Sequence, residues 1–120
     1  MEKFEELVIK ASHILDIAER YQWELGQLSN EVVKTYGYKA LVDFAKQIQE
    51  NCGIWRSPGS LRMYAYVYKV SSKLNLPEDI LFSACQAIIF SGNPVKYAKM
   101  VQDGMSGTEI RKVIYNDKKS

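Results

Sequence analysis

The chain predicts an all-α fold of five to six helices, containing a helix-turn-helix and led by a long N-terminal helix. Three observations carry this. Apolar residues recur at three- and four-residue spacing over most of the 120 positions. Breaks rich in Gly, Pro and Asn separate those runs, with helix-capping residues beside them. No credible strand emerges, because the one alternating stretch, residues 64–70, follows a Ser-Pro helix start.

Residues 2–35 read as one long helix, or as two with a bend at Gly26 or Ser29-Asn30. Phe4, Leu7, Val8, Ala11, Leu15, Ala18, Leu25, Leu28 and Val32 keep helical spacing. Glu2, Glu5 and Glu6 suit the positive end of a helix dipole, and Gly37 suits a left-handed stop. Such a helix is long for one small-domain face to cover, so part of it is expected to pack on a second copy or a partner protein. The plainer alternative is that it wraps its own core.

A second helix spans 39–50 (Leu41, Phe44, Ala45, Ile48) and ends near Asn51–Gly53. Ser57 is a good N-cap with Pro58 in the first helical position, so a third helix runs from Pro58 to about Leu74. Leu61, Ala65 and Tyr68 should face its core side, with Arg62, Tyr66, Lys69 and Lys73 elsewhere on the wheel. Asn75-Leu76-Pro77 breaks the pattern. A strongly apolar fourth helix, 77–90, is then expected to start on Pro77-Glu78-Asp79 and to lie at the centre of the molecule. The turn Ser91–Pro94 leads to a fifth helix, 94–103. Ser106 and Glu109 make a capping box for a sixth, 106–116, with a polar frayed tail after it.

At this length one core fits and two do not, so residues 1–120 read as a single domain: an N-terminal helix over 1–36 and a helix-turn-helix core over 38–116. No apolar run approaches the ~20 residues that span a bilayer. The opening MEKFEEL lacks the order of a secretion signal, so a cytoplasmic chain is expected. Cys52 and Cys85 form no metal pattern, and His13 is the lone histidine, so no metal is expected. A disulfide between the two cysteines is conceivable, but a cytoplasmic chain favours free thiols. The net charge of +2 is unevenly spread. Residues 1–50 hold six Lys/Arg against nine Asp/Glu, a balance of −3, while residues 51–120 hold ten against five, a balance of +5. A polyanionic partner would therefore meet the second part.

Helix, turn, then a capped helix with exposed Arg, Ser and Tyr is the layout of a helix-turn-helix DNA reader, here over 39–74. The first turns of the third helix offer Ser57, Ser60, Arg62 and Tyr64 as base-reading candidates. Arg pairs two ways with guanine, Ser and Tyr hold phosphates, and Tyr or the neighbouring Met63 touches a thymine methyl. Lys46, Arg56, Tyr66, Lys69, Lys73, Lys96, Lys99, Arg111 and Lys112 are candidates for phosphate contact. Each has a bland alternative: Tyr64 and Tyr68 as core residues, and the cations as a solvated surface.

The segments FAKQIQENCGIWRSPGSLRMYAYVYKVSSKL and ACQAIIFSGNPVKYAKMVQDGMSGTEIRKVI are similar to the helix-turn-helix and following helices of ParB/KorB-type plasmid partition proteins and of related phage proteins. Ala84, Ala87, Ala98, Val101, Gly104, Met105, Ser106 and Glu109 carry the second part, and the resemblance covers 38–115. It implies recognition-helix positions at Ser57, Ser60, Leu61, Arg62 and Tyr64, with Leu61 turned to the core. The chain departs from that family in a longer turn between Ile48 and Ser57. It also lacks the family's arginine-rich nucleotide-binding motif, so the resemblance implies a DNA-binding module and no nucleotide-driven clamp.

Enzymatic readings find no footing, and no catalytic residue or cofactor is expected. His13 has no nucleophile placed beside it. Asp16 with Glu19, and Glu78 with Asp79, read as helix-surface and first-turn acids. There is no Walker motif and no GxGxxG, and Gly104–Gly107 is a helix boundary. The expected function is double-stranded DNA binding in transcriptional regulation or in partition of a plasmid or viral genome. A homodimer is expected, because one recognition helix covers only a few base pairs. The competing expectation is a helical protein-protein adaptor. A third is single-stranded nucleic acid bound by tyrosine stacking.

Overall fold

Among the residues described by the computed structural model, 2–77 and 79–119, six helices follow one another with no strand: α1 (Glu2–Tyr36), α2 (Ala40–Cys52), α3 (Pro58–Lys73), α4 (Phe82–Ile89), α5 (Pro94–Gln102) and α6 (Gly107–Lys119). The capping signals act where they were expected. Gly37 and Gly53 take left-handed backbone (φ 89° and 77°), and their N–H groups return to the Val33 and Gln49 carbonyls. Ser57 accepts the Ser60 N–H at 3.1 Å, and Pro58 leads α3. Asn75, at φ 55°, closes α3 in the left-handed conformation, and Pro77 keeps the chain from re-entering it. Ser106 Oγ accepts the Glu109 N–H, but its own hydroxyl bonds the Glu109 carboxylate, so the box is closed on the side chains.

One core runs through the body. Fully buried Phe82 is sandwiched edge-on by Trp23 (5.1 Å between centroids) and Tyr64 (5.6 Å), with Leu41, Leu61, Val67, Ile88 and Ile110 around them. α3 packs on α1, α2 and α4, while α4 packs on α1, α3, α5 and α6, so α3 and α4 share the centre.

Three expectations now resolve. First, of one long helix or two with a bend, α1 is the single unbroken helix, and Gly26 serves packing. A Cβ there would stand 2.6 Å from the Tyr64 carbonyl oxygen, so the missing side chain is what lets α3 lie on α1. Second, α4 starts at Phe82, not at Pro77. Trp23 Nε1 donates to the Ile80 carbonyl at 3.2 Å, and Leu81 is extended. The helix begins only where Glu19 of α1 accepts the Ser83 N–H (3.2 Å) and hydroxyl (2.9 Å). A carboxylate 64 residues away thus caps α4. Asp79 stands in a turn ahead of the helix, and Glu78, placed in the same expected first turn, lies outside the described residues. Third, the expected frayed tail is helix to Lys119. Asp117 holds the last turn, accepting the Tyr97 hydroxyl at 2.5 Å and lying 3.7 Å from Lys96 Nζ.

The chain is extended for its length. Its radius of gyration is 16.5 Å, where a compact domain of this size would have about 14 Å. The excess comes from the N-terminal half of α1, whose described side chains from Lys3 to Ile17 are all exposed.

Candidate nucleic-acid interface

α2 and α3 stand where the helix-turn-helix was expected, joined by residues 53–57. That five-residue link is longer than the three or four of the tight motif. Because α3 lies against three helices, one side of it is covered and another faces solvent. Leu61, Tyr64, Ala65, Val67 and Ser71 are buried. Gly59, Arg62, Tyr66, Lys69 and Lys73 are exposed.

Arg62, Tyr66, Lys69 and Lys73 follow a 4-3-4 spacing, so they fall within an arc of about 60° on the helix wheel and along about 16 Å of its length. α3 contains no acid, and none occurs anywhere in residues 51–77. Among the described residues, no carboxylate lies within ion-pair distance of these three cations. The stripe is ordered by aromatic neighbours. The Arg62 guanidinium lies over the Tyr38 ring at 4.5 Å, and Tyr66 pairs with Phe90 at 6.0 Å.

The four base-reading candidates therefore separate. Arg62 faces solvent. Ser57 and Ser60 are half-buried, and their hydroxyls bond each other at 3.0 Å within the cap of α3. Tyr64 is 8% exposed and packs on Phe82, so it belongs to the core and is turned away from any groove. Its burial, with the Tyr21 hydroxyl beside it, raises its pKa. Cys85 is buried and its thiol is pushed up to about 12 by that burial, whereas Cys52 is exposed; both are free.

The phosphate candidates also divide by neighbourhood. Arg56 is half-buried, 5.8 Å from the Tyr21 ring, and donates to the Trp55 carbonyl at 3.1 Å. Lys46 and Lys99 are exposed on α2 and α5. Lys96 lies 3.7 Å from Asp117 and 5.2 Å from the Tyr97 ring, so it is the phosphate candidate with an acid beside it. Arg111 and Lys112 form, with Lys118 and Tyr115, the walls of an open groove of about 460 Å³ floored by Ala87 and Ile114. Ala87 and Phe90 are three residues apart, so the Tyr66–Phe90 pair lies about one turn from this groove. Tyr38, Tyr115 and Lys118 escaped the sequence reading, and Phe90, expected within the buried fourth helix, is exposed just past its end. The periodicity of α3 pointed to Tyr66, but nothing local marks the aromatic that meets it from another helix.

Among the described residues, no helix is long and apolar enough to cross a membrane. No family model, no curated protein and no solved structure matches this chain.

Proposed function

We infer that the chain binds double-stranded DNA through the solvent-facing stripe of α3, acting as a homodimer in transcriptional regulation or genome partition. The observation that carries this is the alignment of Arg62, Tyr66, Lys69 and Lys73 on the one face of α3 that other helices leave open. A stripe of about 16 Å fits along a major groove, where three cations with no carboxylate partner among the described residues attract phosphates and release counterions. Arg62, nearest the capped start, is the residue placed to read a base. Its stacking on Tyr38 limits the rotamer freedom it would lose on binding. The groove beside α6 adds Arg111, Lys112 and Lys118 as a second basic flank.

The test is a titration of labelled duplexes at several salt concentrations. Arg62→Ala is expected to cost about 1–3 kcal/mol on a selected site and to relax preference at one position. Lys73→Ala should weaken every duplex alike and reduce the salt slope by about one. Identical behaviour of the two variants on selected and random DNA removes the base-reading role. Absence of binding to any duplex at low salt leaves the protein-adaptor reading, which the exposed apolar side of α1 favours.

A further inference from the structure

We propose that the N-terminal half of α1 is the surface by which two copies of this chain pair, helix against helix. Phe4, Leu7, Ile14 and Leu15 are 71, 61, 65 and 66% exposed, and Val8 and Ala11 beside them are exposed too. On a helix these six fall on one stripe about 120° wide. Phe4, Leu7, Ala11, Ile14 and Ala18 alternate steps of three and four, the seven-residue repeat of a two-stranded coil, and Tyr21 and Leu25 extend it toward the body.

The occupant follows from three properties of the stripe. Its repeat matches another helix of the same period, which a flat surface does not require. Residues 2–20 hold Glu2, Glu5, Glu6, Asp16 and Glu19 against Lys3, Lys10 and Arg20, a net acidic balance of −2. An interfacial membrane helix needs a basic polar side, so a lipid surface fits poorly. The six stripe residues together expose about 600 Å² per copy, so pairing can bury at most about 1,200 Å², the lower end of a specific interface. The projecting half-helix also has an unmet need. At about 15 residues it is marginal alone in water, and its own body gives it no cover. A second copy supplies both cover and cooperativity.

The proposal deepens the homodimer part of the functional reading and stands independently of DNA. Sedimentation equilibrium of the full chain, with no nucleic acid present, keeps the two apart. The mass is expected to rise across the micromolar range from 13.8 kDa toward twice that value. Leu7→Glu combined with Ile14→Glu should hold it at the monomer, and the milder Leu7→Ser with Leu15→Ser should weaken pairing at least tenfold. Ile9→Glu removes an equally exposed apolar residue from the opposite side and should leave pairing unchanged. Fluorescence of Trp23 and Trp55, both outside the stripe, reports that the body is folded in each variant. A wild-type chain monomeric throughout overturns the proposal, as does a dimer that survives both stripe variants or dissociates equally with Ile9→Glu. Co-sedimentation of the monomer with phosphatidylcholine vesicles would assign the stripe to lipid instead.

Discussion

Tyr97 shows how one side chain ties an element and sets a pH limit. Its hydroxyl donates to Asp117 across the α5–α6 interface, and that bond, with its burial, raises the pKa above the ordinary tyrosine value. The sign follows from linkage. Above about pH 10 the unfolded chain releases a proton that the folded chain retains, so stability falls as pH rises. Tyr64, raised chiefly by burial, acts in the same direction. The thermal midpoint is therefore expected to decline from pH 9 to 11, and Tyr97→Phe should make the decline shallower; melts at fixed ionic strength check this. At this scale the sequence was legible where a residue acts on its own neighbours. Ser57, Gly37 and Gly53 cap as their types require. It was illegible where the partner comes from afar. Tyr64, three residues after Leu61, shares the inward side of α3, but the Phe82 ring it meets comes from α4 and no local spacing marks that partner.

Between elements, the closest approach is α3 on α1 at Gly26. In an open helix, alanine would gain about 1 kcal/mol over glycine. Here the added methyl meets a backbone carbonyl at 2.6 Å, which cannot swing aside as a side chain can. Gly26→Ala is expected to destabilise by about 1–3 kcal/mol net, measured by urea denaturation. A midpoint that rises would mean α3 slides freely on α1. A glycine in a helical pattern has two readings, bend or contact, and only the identity of the facing atom chooses between them. The start of α4 was misplaced for a related reason. Pro77 and its acids resemble a first turn, yet the Ile80 carbonyl is taken by Trp23 and the cap by Glu19. Tertiary bonds from α1 outweigh a local signal worth about 1 kcal/mol.

For the molecule as a whole, α1 divides the labour: its second half is part of the core, and its first half stands clear of it. Removing residues 1–16 should thus leave the body folded. The expected outcome is an unchanged tryptophan spectrum, with a thermal midpoint that no longer depends on protein concentration, because pairing stabilises by mass action. Calorimetry at two concentrations checks it. Loss of the folded spectrum would show that the projecting half supports the body after all. The all-helical architecture and the length of α1 were readable from periodicity. The exposed stripe of α3 was readable as a wheel position. That three helices cover the rest of α3 was not, because periodicity shows which side of a helix is apolar and not how many neighbours share it.

The distant cap on α4 bears on how the chain is made. Glu19 leaves the ribosome 64 residues before Ser83, an interval of about 3–13 s at ordinary synthesis rates of roughly 5–20 residues per second. Throughout that interval the growing chain lacks Phe82, the ring that fills the middle. Final assembly therefore waits on late translation, and a growing chain stalled before residue 82 would expose Trp23 and Tyr64 to whatever chaperone is at hand.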